Sequence, residues 1–206
     1  MVTNSTLEKE AFNICREAHM GQLYGDVEYF YHPLSLANEA RLRGFGSLVV
    51  AVCLIHDVFE DSPITPQDAY ERSIPLVVIW GAWCMTYLGD DTDEKMALAR
   101  SNPLSHIGKH IDASENHRAG ILSNDHRVPK YDDYLTKLAP DLPTAEQVAQ
   151  YCSDFVKKGT EIELEIQELK AIIGNSEQAT TRGARSRIDA LLRVLSDQAS
   201  ALELIS

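Results

Sequence analysis

Three short stretches concentrate residues that can bind a metal or move a proton: Tyr31-His32-Pro33, His56-Asp57-Val58-Phe59-Glu60-Asp61 and Asp112-Ala113-Ser114-Glu115-Asn116-His117. The middle stretch is the most informative. It follows an apolar run of eight residues, Leu48 to Ile55, of the kind a helix buries on all sides. A His and an Asp at the end of such a helix are partly buried, which is costly unless both are satisfied. A divalent metal satisfies the pair together, because imidazole and carboxylate suit manganese, iron or zinc. Residues four apart share a helix face, so His56 falls beside Glu60 and Asp57 beside Asp61. With His56 and Asp57 on a metal, Glu60 or Asp61 can act on a water there as general base or orienting group. In the third stretch Lys109, Asp112 and Asn116 share a face at i, i+3 and i+7. Asp112 could complete the metal site while Lys109 and Asn116 face an anionic substrate.

Each group alone has a plainer explanation. His32 fits a structural histidine in a turn, and an HD dipeptide arises by chance. Glu60-Asp61 ahead of Ser62-Pro63 fits a solvated helix end, and His19 fits a packing histidine. His106, His110, His117 and His126 share no spacing. What singles the set out is its order along the chain: His, then His-Asp, then Asp.

The elements that must position these groups read as helices. Ser5 followed by Glu8 predicts a capping box that opens a helix through His19, ended by Gly21. Residues 21 to 32 read as a loop, and Pro33 suits the first turn of a second helix that stops near Gly44. Ser47 to Phe59 reads as a buried third helix, Thr65-Pro66 opens a short one, and Ile74 to Leu88 makes a long apolar one. Asp90 to Asp93 is a polar break. Helices then follow from about Asp93 to Arg100, from Asn102-Pro103 through Arg118, from about Lys130 to Leu138 and from Thr144 to Lys158. Alternating polarity is rare, so strands should be scarce or absent and the fold class is all-α.

The last part behaves differently. Ile162, Ile166, Leu169 and Ile173 recur at helical spacing, as do Ile188, Leu191, Leu192, Leu195, Ala199 and Leu202, with GNSEQATTRG between them. This predicts an antiparallel helical hairpin over 159–206, appended to a domain over 1–158. The hairpin either packs back on the domain or forms the seam of a homo-oligomer.

Composition narrows the function. Nineteen Lys and Arg against thirty-one Asp and Glu give a net charge of −12. Such a chain is not suited to nucleic-acid polymers, whose binding rests on phosphate neutralisation, or to an anionic membrane surface. No apolar run approaches the length of a membrane helix, and no secretory signal is visible. Cys15, Cys53, Cys84 and Cys152 are widely spaced with no CxxC pair, which predicts free thiols, no Cys-rich zinc site and a cytoplasmic protein.

The ordered residues resemble the HD-domain metal-dependent phosphohydrolases, and more narrowly the hydrolase domain of RelA/SpoT-type alarmone enzymes and their small stand-alone relatives. Ala18-His19-Met20-Gly21-Gln22 is similar to the family's AHxGQ, and Tyr29 to Leu34 to its YxxHPL. Cys53 to Asp61 (CLIHDVFED) is similar to ALLHDVxED, and Asn102-Pro103 with Lys109 to Asn116 (KHIDASEN) to NP…VKLADxxxN. His126-Arg127-Val128 with Tyr131 resembles the stretch just downstream. The resemblance implies an HD-type helical bundle and metal ligation by His32, His56, Asp57 and Asp112, usually of one manganese ion. It further implies that Glu60 and Asp61 position and activate the attacking water, that Asn116 contacts the ribose or phosphate side, and that Tyr131 lines the nucleotide pocket. Lys109 matches the family lysine, as a substrate contact or a structural ion pair. The implied activity is hydrolysis of the 3′-pyrophosphate of guanosine tetra- or pentaphosphate, with no pyrophosphokinase activity. One departure bears on the base: the family's Arg or Lys beside the guanine is replaced by Tyr24, which can stack on a purine but carries no charge. A different nucleotide substrate, or a non-catalytic nucleotide-binding regulator, are the alternatives.

Overall fold

A computed structural model of the chain describes residues 4–86 and 91–158. The described residues form an all-α fold. Contacts divide the chain into two compact units, Met1–Ala149 and Gln150–Ser206. The hairpin expected over 159–206 lies outside the described residues, as do Leu88, Asp90 and the Ser5 side chain of the expected capping box.

In the first unit the helices are α1 (Asn4–Ala18), α2 (Tyr31–Leu42), α3 (Ser47–Ile55), α4 (Val58–Asp61), α5 (Pro66–Glu71), α6 (Leu76–Trp83), α7 (Thr92–Arg100), α8 (Pro103–Ser123) and α9 (Val128–Leu138). Residues 145–158 are helical as well. The Thr144 hydroxyl accepts from the Gln147 backbone N–H, and the Gln147 side chain returns the bond to the Thr144 N–H.

The centre of the unit is α3. Its residues from Val49 to Ile55 are all buried, and it packs on α1, α2, α6 and α8. A helix that is apolar all round has no solvent face, so it must sit in the middle. Each of its large side chains contributes about 1.5–3 kcal/mol on burial. Helix α6 approaches closely because position 81 is glycine: a Cβ there would stand 2.9 Å from Val52 Cγ2. A second apolar cluster of Met96, Ala99, Ala113, Tyr131, Tyr134 and Leu138 joins α7, α8 and α9.

Several boundaries depart from the pattern read in the sequence. Helix α2 begins at Tyr31, which puts His32 in its first turn rather than in a loop. Helix α6 is shorter than the apolar run, because Pro75 stands at its N-cap and the helix ends at Trp83. Helix α8 runs on past Arg118 until Asn124, whose φ of 55° ends it in the left-handed conformation. The segment 21–32 holds a two-residue antiparallel ladder, β1 (Leu23–Tyr24) against β2 (Val27–Glu28). Gly25 at its tip has φ +64°, a conformation costly for any other residue.

The expected helix over 47–59 is interrupted at His56-Asp57. The His56 ring takes the Cys53 carbonyl through Nδ1 at 2.9 Å, while its own carbonyl accepts from the Thr86 hydroxyl at 3.2 Å. Asp57 adopts φ −97° and ψ −4°, and its carbonyl restarts the ladder by accepting from the Glu60 and Asp61 N–H groups. Among the described residues no helix is long and apolar enough to cross a membrane. All four cysteines are free and buried.

Candidate metal centre

His32 comes from the first turn of α2, His56 and Asp57 from the break between α3 and α4, and Asp112 from the middle of α8. One ligand atom from each of His32, His56 and Asp57 lies within 4.8 Å of the other two. Asp112 stands outside that trio yet adjoins it, its Oδ1 being 3.3 Å from His32 Nε2. Two imidazoles and two carboxylates form a donor set suited to manganese, iron or zinc.

The orientation of the donors is itself fixed. A carbonyl oxygen only accepts, so His56 Nδ1 carries the proton toward Cys53 and Nε2 is left facing Asp57 at 2.8 Å. The Tyr29 hydroxyl donates to Asp57 Oδ2 at 2.7 Å. On Asp112, Oδ2 accepts from Lys109 Nζ at 2.8 Å and Oδ1 accepts from Asn116 Nδ2.

These contacts set the protonation states. Burial alone would lower the His56 pKa, but the Asp57 carboxylate and its hydrogen bond raise it to about 9. Burial would raise Asp57, yet the adjacent imidazole and the bonds from His56 and Tyr29 hold it well below the usual carboxylate range. Asp112 is held low against its burial by Lys109 and His32. Lys109, equally buried, is held above its ordinary value by Asp112.

His32 and Asp57 of the trio line a cleft of about 260 Å³. Every residue singled out in the sequence lines this cleft except His56, which is buried behind Asp57. Glu60 and Asp61 lie in its wall on α4. Burial raises both carboxyls above their ordinary pKa; at Glu60 Lys95 opposes the rise while Asp57 and Asp61 add to it, and at Asp61 Asp57 adds to it. A carboxylate shifted upward is a better proton acceptor at neutral pH.

Lys95 of α7, Arg127, which pairs with Asp125, and Lys130 of α9 also line the cleft. The Lys95 side chain has no hydrogen bond or ion pair among the described residues, and burial and Lys109 lower its pKa. Lys130 Nζ stands over the rings of Tyr131 and Tyr134, at 5.9 and 5.4 Å from their centroids. Tyr24 closes the cleft from the hairpin: its ring stacks on His32 at 5.9 Å and its hydroxyl donates to Asn116 Oδ1 at 3.4 Å.

Two features were not assigned a role from sequence. Tyr29 was only part of a motif, although its spacing of three from His32 is the available signal. Tyr134 joins the lining through its place one turn after Tyr131 on α9. Conversely, Lys109 and Asn116 both bond Asp112 rather than standing free for an anion.

No protein-family model matches this chain, and no curated protein matches it.

Proposed function

We propose that the chain is a metal-dependent phosphohydrolase that removes the 3′-pyrophosphate of guanosine tetra- or pentaphosphate. The observation that carries this reading is the convergence of His32, His56 and Asp57, with Asp112 beside them, at a cleft that also presents two carboxylates and several cations.

His32, His56, Asp57 and Asp112 would hold one divalent ion, manganese by the resemblance. When bound, such an ion supplies a Lewis acid and lowers the pKa of a coordinated water. The protein's own groups do the rest. Glu60 and Asp61, raised in pKa, accept the proton of the attacking water and orient it. Attack at the 3′-linked phosphorus breaks the bond to the ribose 3′-oxygen, which takes up a proton as pyrophosphate leaves. Lys95, Arg127 and Lys130 hold the phosphate charge in a chain of net charge −12. Tyr24 and Tyr131 flank the nucleoside. Lys109 acts through Asp112, as its counter-ion.

A second reading keeps this chemistry and changes the base, and it is favoured by Tyr24, which offers a ring where a guanine-reading cation is expected. Both are tested by loading the protein with manganese and measuring phosphate and pyrophosphate release over a nucleotide panel. Pyrophosphate release from guanosine tetraphosphate supports the first reading. Turnover of another nucleotide with guanosine tetraphosphate untouched supports the second.

A further inference from the structure

A second cavity, of about 350 Å³, opens beside the hairpin and is lined by Phe12, Arg16, His19, Met20, Gly21, Glu28 and Phe30. None of these belongs to the metal cleft. Its floor is apolar: Phe12 and Phe30 meet edge to face at 6.2 Å. At its base His19 is 1% exposed, with Nδ1 against Gln22 Oε1 at 2.9 Å and Nε2 a buried nitrogen without any partner. A buried polar atom without a partner is uncommon and costs its desolvation without return.

The charges at the rim are also unused. The acids of α1 are matched, Glu8 by Arg41 and both Glu10 and Glu17 by Arg72. The exposed side chains of Arg16 and Glu28, by contrast, form no ion pair or hydrogen bond among the described residues, although they line one cavity. A single guanidinium and a single carboxylate around aromatic walls do not suit a polyphosphate, which calls for several cations. The volume falls at the low end for small-molecule sites.

We infer that this cavity binds a small zwitterion of amino-acid size with an aromatic side chain, its carboxylate on Arg16, its ammonium on Glu28 and its ring on Phe12 and Phe30. Its occupancy is read by the metal centre. The His19 ring lies 4.7 Å from that of Tyr29, whose hydroxyl bonds Asp57. Gln22, which holds His19, also donates to the Asp61 carbonyl at 3.0 Å. The hairpin between cavity and cleft carries Glu28 on one side and Tyr24 on the other. Binding in the cavity is independent of the proposed reaction; only the coupling rests on the metal reading above.

The test is calorimetry of the full chain with L-phenylalanine, phenylacetate and phenethylamine, first without metal. The expected result is saturable binding of L-phenylalanine, about tenfold or more tighter than either analogue lacking one charge. Arg16→Ala and Glu28→Gln should each weaken it about tenfold while leaving the melting temperature unchanged. Repeating the manganese titration with the cavity filled should shift metal affinity about fivefold or more, by reciprocal linkage. No saturable binding, or equal affinity for all three compounds, overturns the site and leaves the cavity to water. Binding with unchanged manganese affinity overturns the coupling. Neither result depends on which nucleotide is hydrolysed.

Discussion

The candidate metal end of the cleft and the rest of its lining are held in opposite ways. At the metal end every donor is committed before any ion arrives: His56 to Cys53 and Asp57, Asp57 to Tyr29, Asp112 to Lys109, Asn116 and His32. In the rest of the lining the Lys95 side chain is unpaired among the described residues and Lys130 rests on aromatic rings, while Tyr24 stacks on His32 from a two-residue ladder. Donors already positioned by neighbouring groups would hold a metal at little reorganisation cost. Loosely held cations and rings can be exchanged without harming the fold, so they are where substrate choice can drift.

This contrast can be broken by substitution, and the largest effect belongs to Asp57→Ala. It should abolish both metal binding and turnover, measured by elemental analysis and product release, since a missing ligand also strands the His56 imidazole. Glu60→Gln or Asp61→Asn should retain the metal but lower kcat by about 10²–10⁴-fold, the usual range for a lost proton acceptor. The same change at two lysines separates the ends directly. Lys109→Met leaves Asp112 buried without its counter-ion and should cost about 3–5 kcal/mol in denaturant unfolding. Lys95→Met should alter stability by no more than about 0.5 kcal/mol. It should instead raise KM about tenfold with kcat little changed, as loss of one charge-assisted contact to phosphate would. The smallest effect is specificity: Tyr24→Arg should shift the kcat/KM ratio of guanine over adenine nucleotides by less than about tenfold.

The pattern of His56, Asp57, Glu60 and Asp61 was legible because it is local, whereas His32 and Asp112, on α2 and α8, entered through their order in the chain and the resemblance. An apolar run ending in His-Asp, with two acids one turn on, reads from spacing alone, and so did the all-α class and most helix starts with a Pro or capping residue. What escaped depended on tertiary contacts. The break at His56-Asp57 is made by the Cys53 carbonyl and by Thr86, which stands thirty residues away on the other side of α5 and α6. Tyr29 reaches Asp57 across twenty-eight positions. Lys95 and Lys130 are legible as cations that an anionic ligand would need nearby, and the packing of α7 and α9 on α8 brings them to one cleft. Lys109 read equally as substrate contact or ion pair, and its burial beside Asp112 favours the pair.

The central claim is that the His32, His56, Asp57 and Asp112 cluster hydrolyses a nucleotide polyphosphate with a bound metal. Pyrophosphate release from guanosine tetraphosphate, measured side by side for manganese-loaded wild type and Asp57→Ala, tests it most directly. The account predicts steady release by the wild type and none above background by the variant. Release at the same rate by both would contradict it.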